Sequence, residues 1–129
     1  MKKQKDLKKN KKLIIAWDID DTILVPGIVT ESGREAPNYE VIAVYRFFQT
    51  QGHHMILWSG SGVDWATTWG EKFNLNPDDV IKKEKTLIEG EPYVDIAFDD
   101  CDVDLAKVNV KVKRIENSVS RAEWNERKQ

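Results

Sequence analysis

The chain has 129 residues, 40% of them hydrophobic, which is enough for one packed core and too little for a membrane protein. Its 20 basic and 22 acidic residues give a net charge of -2, so the total charge indicates neither nucleic acid nor a membrane surface as a partner. A single cysteine, Cys101, excludes an intrachain disulfide, and we expect a cytoplasmic protein.

Residues 1–12 carry seven lysines against one acid, Asp6, and predict a basic, disordered arm. Solubilisation is its default role, and contact with nucleic acid is the alternative. The apolar run behind the arm is only five residues long and meets Asp18 at once, which excludes a secretory signal. We expect residues 13–129 to form one domain.

The apolar run Leu13 to Trp17 shows no alternation and predicts a strand buried on both faces of a parallel sheet. Turn signals at Pro26-Gly27 and Ser32-Gly33 then predict a loop and a short hairpin over residues 25–36. A helix is predicted between Pro37 and Gly52. Its apolar face consists of Val41, Val44, Tyr45 and Phe48.

The second half of the chain continues the alternation of strands and helices. Further strands are predicted at Met55 to Trp58, Val80-Ile81, Val94 to Phe98 and Val108 to Val112, the last half-exposed at a sheet edge. A second helix is predicted around Trp65, Trp69 and Phe73, and a C-terminal one around Trp124, behind a capping box of Ser120 and Glu123. The tryptophans expected in the core are Trp17, Trp58, Trp65 and Trp69.

This order of elements predicts a three-layer α/β domain, with a mostly parallel sheet of about five strands and the first strand near its centre. Polar groups directly follow three of the apolar runs. They are Asp18, Asp20 and Thr22 after the first strand, Ser59 and Gly60 after the second, and Asp99 and Asp100 after the late one. Since parallel strands bring their carboxyl ends to one edge, these groups are expected to converge. Carboxylates held together are costly unless a cation, a proton or a substrate compensates them, and we expect a metal-dependent acidic site here.

These motifs resemble those of the haloacid dehalogenase-like phosphohydrolases. Asp18 to Thr22 matches the DxDxT motif, Ser59 matches a Ser or Thr ending a strand, and Asp99-Asp100 with Asp104 resembles an acidic DDxxxD motif. The resemblance covers roughly residues 13–115. It implies a Rossmann-like fold with strand order 5-4-1-2-3.

The resemblance also implies a Mg²⁺-dependent phosphatase that works through an aspartyl-phosphate. Asp18 would be the nucleophile, and the Asp20 side chain would serve as general acid and then general base. Asp18, the main-chain carbonyl of Asp20 and Asp100 would hold Mg²⁺, with Asp99 behind them or sharing the role. Ser59, Gly60 and a lysine would hold the phosphoryl oxygens. Thr22 is expected to orient Asp20 or the turn.

The lysine of the family pattern has three candidates, Lys82, Lys83 and Lys85, and we expect Lys85, with Lys83 next. Many small members carry the lysine directly before a proline, but here Glu91 precedes Pro92. The sequence leaves two roles open for Asp104, that of a helix cap and that of a site residue. Cys101 is expected to be a plain thiol, and His53-His54 to lie in a solvated turn.

Residues 25–36 and 82–93, where larger members insert a cap domain, are too short for one. A capless site is open, which favours a large phosphorylated substrate, such as a nucleic-acid end or a phosphoprotein, or closure by oligomerisation. The lysine arm and Arg34 mildly favour a polyanion.

Two other functions remain open. A receiver-type phospho-acceptor domain also combines acidic residues, Ser or Thr and lysine, but its acidic pair comes first along the chain. A non-catalytic binding module is the other alternative, which Glu91 before Pro92 leaves open.

Overall fold

The computed structural model describes residues 12–115. Their elements, in chain order, are β1 (Ile14–Asp18), β2 (Leu24–Val25), β3 (Ala36–Pro37), α1 (Tyr39–Thr50), β4 (His54–Trp58), α2 (Val63–Lys72), β5 (Asp79–Val80), β6 (Leu87–Ile88), β7 (Glu91–Pro92), β8 (Ile96–Asp99) and β9 (Val108–Lys111). The arm up to residue 11 and the predicted helix around Trp124 lie outside the described residues.

Five strands form one parallel sheet in the order β5-β4-β1-β8-β9, so the α/β prediction with a parallel sheet of five strands is confirmed. The strand numbers differ from the expected order 5-4-1-2-3, which counts only the strands of the main sheet. The numbering here also includes the strands of two hairpins, β2-β3 and β6-β7. Ile15 pairs with Met55 on one side and with Ile96 on the other. Strand β1 therefore lies between two parallel neighbours, which explains its unbroken apolar run.

Within residues 12–115 the layers differ from the predicted three. Both helices of this part of the chain pack on the same face of the sheet, in a cluster made of Ile15, Trp17, Met55, Leu57, Val41, Tyr45, Ala66 and Trp69, among others. The opposite face carries Ala16, Ile56, Trp58 and Ala97, which pack against Val94 and Ala106. The described connection from β8 to β9 spans only residues 100–107, and a helical crossover needs a dozen or more residues.

Helix α1 begins after Asn38, whose side chain accepts a hydrogen bond from the Val41 N–H, and ends just before Gly52, as predicted. Gly52 has a φ of 84°, a conformation that glycine adopts without strain. Three of the four tryptophans expected in the core are buried there, Trp17, Trp58 and Trp69. The prediction for Trp65 is wrong, since its side chain is 37% exposed.

The two connections that could carry a cap are small. Strands β2 and β3 pair over two residues each, and the chain between them forms one 3₁₀ turn, Gly27–Val29. Strands β6 and β7 form a second two-residue hairpin. Neither helix of residues 12–115 has the length and apolar character needed to cross a bilayer.

Candidate active site

A tight turn at the end of β1 holds the first predicted site residue. The Ile19 carbonyl oxygen accepts hydrogen bonds from the N–H groups of Thr22, Ile23 and Leu24 at 3.2, 3.0 and 2.8 Å. The turn brings the Thr22 hydroxyl back to the strand end, where it donates to Asp18 Oδ2 at 3.1 Å. The expectation was that Thr22 orients Asp20 or the turn; its N–H lies in the turn, and its hydroxyl contacts Asp18 and not Asp20.

Lys83 joins the ends of β1 and β8. Its ammonium lies 3.1 Å from Asp18 Oδ1 and 2.5 Å from Asp99 Oδ2. The lysine side chain is only 19% exposed, and the Asp99 side chain 1%. Although burial opposes the charge on Lys83, contacts with Asp99 and Asp18 raise its pKa. Lys83 is therefore a fixed cation between two buried carboxyl groups.

The other two candidate lysines lie away from these carboxyl groups. Lys85 Nζ contacts Asp104 at 3.0 Å, and the side chains of this pair are 40% and 80% exposed. Lys82 is more exposed still and faces Glu84 at 3.8 Å. The structure thus brings Lys83, and not the favoured Lys85, to the predicted site. Asp104 pairs with this surface lysine.

Arg114, which follows β9, contacts Asp100, the second residue of the acidic pair. Its Nε lies 2.6 Å from Asp100 Oδ2. Burial disfavours ionisation of Asp100, but hydrogen bonds from Arg114 and with Asp18 outweigh it, and the pKa of Asp100 is lowered. Asp100 is 8% exposed, so it is a buried carboxylate at the rim of the sheet.

The two oxygens of Asp99 have different partners. Asp99 Oδ1 accepts the N–H of Cys101 at 2.9 Å. Asp99 Oδ2 is buried, and the Lys83 ammonium lies 2.5 Å from it. Burial of a carboxylate is costly unless its charge is compensated, and Lys83 supplies that compensation here.

The carboxyl group of Asp18 has a strongly altered acidity. Burial at 4% exposure and the nearby charge of Asp99 raise its pKa from 3.8 to about 7, although Lys83 acts in the opposite direction. Without a further cation, Asp18 is therefore partly protonated at neutral pH.

Asp18, Asp99 and Asp100 together suit a hard divalent cation. Ligand atoms of Asp99, Asp100 and Cys101 lie within 4.8 Å of one another, and Lys83 contacts both Asp18 and Asp99. Mg²⁺ selects oxygen ligands, so the carboxyl groups fit it and the exposed Cys101 thiol does not. Of the predicted metal ligands, Asp99 and Asp100 lie in this group, and Asp18 is linked to Asp99 through Lys83.

Asp20 lies on the outer side of the turn, where two side chains approach it. The indole Nε1 of Trp65 donates to both Asp20 oxygens, at 3.1 Å each. The Ser59 hydroxyl is 3.5 Å from Asp20 Oδ2, which is a weak contact, and it also accepts the Ser61 N–H at 3.0 Å. Ser59 itself is 2% exposed at the end of β4.

The loop from Ser59 to Gly62 leaves free space beside Asp20. Gly60 is exposed, and a Cβ atom added at Gly60 or Gly62 would have no described atom within 4 Å. Helix α2 begins directly behind Gly62, whose φ is 105°. The predicted phosphate-binding residue Gly60 thus borders open solvent next to the predicted acid.

Sequence reasoning missed two residues, Trp65 and Arg114. Trp65 is assigned to the core from its spacing with Trp69, although it lies in the first turn of a helix that starts at a strand end. Arg114 lies three residues beyond the end of the edge strand β9 at Lys111. Its position behind a strand end is the only local signal that the sequence offers for it.

The raised pKa of Asp18 predicts how stability depends on pH. Both the folded and the unfolded chain keep Asp18 neutral below pH 3.8. Between pH 3.8 and about 7 the unfolded chain ionises Asp18 while the folded chain keeps its proton, so the wild-type protein loses stability over this window. We compare the free energy of unfolding of Asp18→Asn with that of the wild type in the absence of divalent cations. The difference in favour of the variant should be about 2–4 kcal/mol larger at pH 8 than at pH 4.

Urea denaturation of both proteins in chelator at the two pH values measures this difference, and Mg²⁺ should reduce it. An equal stability difference at pH 4 and pH 8 would contradict the raised pKa.

Comparison with known proteins gives no relative: no protein-family model, no curated protein and no solved structure matches this chain.

Proposed function

We propose that this protein is a Mg²⁺-dependent phosphatase of the haloacid dehalogenase-like kind, which hydrolyses phosphomonoesters through a phosphorylated Asp18. The observation that carries the proposal is the arrangement around Asp18. Its carboxyl group ends the central strand, is held by Thr22 and Lys83, and adjoins Asp100. A nucleophile, a fixed cation and metal-binding carboxylates are the parts that this reaction requires.

In the first step, an Asp18 oxygen attacks phosphorus and forms a P–O bond while the ester P–O bond breaks. The Asp20 side chain donates its proton to the leaving oxygen, which departs as an alcohol. In the second step, water attacks the phosphorus and transfers a proton to Asp20. The bond to Asp18 then breaks and inorganic phosphate is released.

Asp18, Asp99 and Asp100 would hold the metal ion, together with the main-chain carbonyl of Asp20. Bound Mg²⁺ supplies positive charge that offsets repulsion between Asp18 and the phosphate, and it favours the ionised form of Asp18. Lys83 and Ser59 would donate hydrogen bonds to the phosphoryl oxygens. Their role is to stabilise charge that grows in the transition state.

The substrate is proposed to be a large phosphorylated molecule, such as a nucleic-acid end or a phosphoprotein. The connections β2-β3 and β6-β7 are two-residue hairpins, and Gly60 borders free space. A site with so little cover has room for the end of a polymer. It does not enclose a small substrate and so does not exclude water around it. Association of two chains over the site is the alternative means of closure.

The test of the proposal is phosphate release with Mg²⁺ and with chelator. The substrates are aryl phosphates, mononucleotides, a 3′-phosphorylated oligonucleotide and a phosphopeptide. We expect Mg²⁺-dependent release, fastest on one of the polymers. Absence of release from every substrate would argue against the phosphatase and for a binding module.

Metal binding can be measured apart from turnover. We expect Asp100→Asn to weaken Mg²⁺ binding at least about tenfold in calorimetric titration, because it removes one charged ligand. Asp102→Asn is the matched control, since Asp102 is 86% exposed and pairs with Lys111. Equal Mg²⁺ affinity in both variants would exclude Asp100 as a ligand.

A receiver-type domain is distinguished by the fate of the acyl-phosphate. In a phosphatase, Asp20→Asn slows hydrolysis of phosphorylated Asp18 and lets it accumulate, because no base activates the water. In a phospho-acceptor domain, Asp18 stays phosphorylated in the wild-type protein as well. Mass spectrometry of acid-quenched protein after exposure to substrate separates the two cases.

A further inference from the structure

We propose that Trp65 is a positioning residue for the general acid Asp20, and so sets how well the enzyme expels poor leaving groups. The inference rests on the proposed phosphatase function and adds a residue to it. Trp65 stands in the first turn of α2, and its indole N–H donates to both oxygens of the Asp20 carboxyl group at 3.1 Å.

The Trp65 ring is itself held in place. It packs edge-to-face on Trp69 at a centroid distance of 5.8 Å and an interplanar angle of 71°. Trp69 is 8% exposed and packs in turn on Phe73 at 5.3 Å. A half-exposed indole on a buried aromatic support is rigid enough to fix the carboxyl group that it contacts.

The chemistry of the indole makes this contact selective. An indole N–H is a donor and never an acceptor, so the acidic O–H of a protonated Asp20 cannot bond to Trp65 and has to point away from the indole N–H. That O–H is then free for the leaving group. The only other described hydrogen-bond contact of the Asp20 carboxyl group is the 3.5 Å approach of Ser59, which is too long to hold the group by itself.

Trp69 provides a matched control for this contact. It stands four residues further along the same helix, and its Nε1 is buried without a hydrogen-bond partner in the described part of the chain. Trp65→Phe and Trp69→Phe therefore make the same change of side chain. Only Trp65→Phe removes a hydrogen bond to Asp20.

The experiment compares phenyl phosphate with 4-nitrophenyl phosphate, measured as kcat and KM with Mg²⁺ present. The two substrates are similar in shape, but phenolate is the stronger base and depends more on protonation. For Trp65→Phe we expect kcat/KM, which reports the step in which the leaving group departs, to fall about tenfold on phenyl phosphate and less than about threefold on 4-nitrophenyl phosphate. Asp20→Asn should show the same preference more strongly.

Trp65→His, which keeps a ring N–H donor, and Trp69→Phe should both retain a ratio of the two rates close to that of the wild type. Thermal unfolding of each variant checks its fold. Equal loss on both substrates in Trp65→Phe would overturn the inference while leaving the phosphatase intact. If the wild-type protein hydrolyses neither substrate nor any other phosphomonoester, the proposed function fails and the role of Trp65 falls with it.

Discussion

Asp18→Asn is expected to lower phosphate release by at least about 10⁴-fold, because an amide does not attack phosphorus and the reaction has no other route. Asp18 is the carboxyl group at the end of β1 that Thr22 and Lys83 both contact. Asparagine has nearly the same shape, so the loss should appear in kcat without unfolding. The measurement is phosphate release at saturating Mg²⁺ on whichever substrate the wild-type protein turns over.

Asp102→Asn serves as the control, since it also removes one acidic charge near β8 but from an exposed side chain. We expect its activity to stay within about threefold of the wild type. If Asp18→Asn retained more than about a tenth of the activity, Asp18 would not be the nucleophile.

Lys83→Met is expected to reduce kcat/KM by about 10²–10³-fold, because it removes a fixed positive charge from the phosphoryl site. The same change takes away the cation that lies between Asp18 and Asp99. Buried carboxyl groups left without a partner destabilise a protein, so the variant should also melt at a lower temperature. Lys83→Arg keeps the charge and separates the two effects, since it should preserve stability better than activity.

Lys85→Met is the matched control for the choice among the lysines. Among residues 12–115, the ion-pair partner of Lys85 is Asp104 at an exposed position, and exposed ion pairs contribute little to stability. Activity and melting temperature should stay close to those of the wild type. A larger loss in Lys85→Met than in Lys83→Met would reverse the assignment and favour the lysine expected from the sequence.

The Asp18 carboxyl group links stability and the proposed activity. Burial and the nearby charge of Asp99 raise its pKa to about 7, so its ionised form weakens the fold in the absence of a cation. The proposed reaction needs that ionised form. Asp18→Asn is therefore expected to be inactive and, at pH 8, more stable than the wild type. Such a trade-off between stability and activity is common at catalytic sites.

Much of the sheet follows from local sequence pattern. An unbroken apolar run such as Ile14 to Trp17 indicates a strand with parallel neighbours on both sides, because burial on both faces leaves no place for alternation. Strand ends in such a sheet share one edge, which is why Asp18, Ser59 and Asp99 could be grouped before the structure was known. These predictions depend on neighbours in sequence and on the general geometry of sheets.

The layers were harder to predict because helix positions depend on crossover lengths and on which face has room. Eight residues connect β8 to β9, too few for a helical crossover. In the described part of the chain, loops cover the face of the sheet opposite the two helices. Trp65 was assigned wrongly for a related reason. Helical spacing indicates that Trp65 and Trp69 lie on the same face of the helix. It does not indicate where that face lies relative to the end of β1, and this position brings Trp65 to Asp20.

The sequence by itself determined the α/β class, the central strand and the set of acidic residues at its carboxyl edge, since each depends on a few consecutive residues. Only the tertiary structure decided that Lys83 and not Lys85 reaches Asp18, that Arg114 contacts Asp100, and that Trp65 holds Asp20. These contacts join segments that lie far apart along the chain. Their partners depend on how each loop leaves the sheet, and no local pattern of residue types specifies that direction.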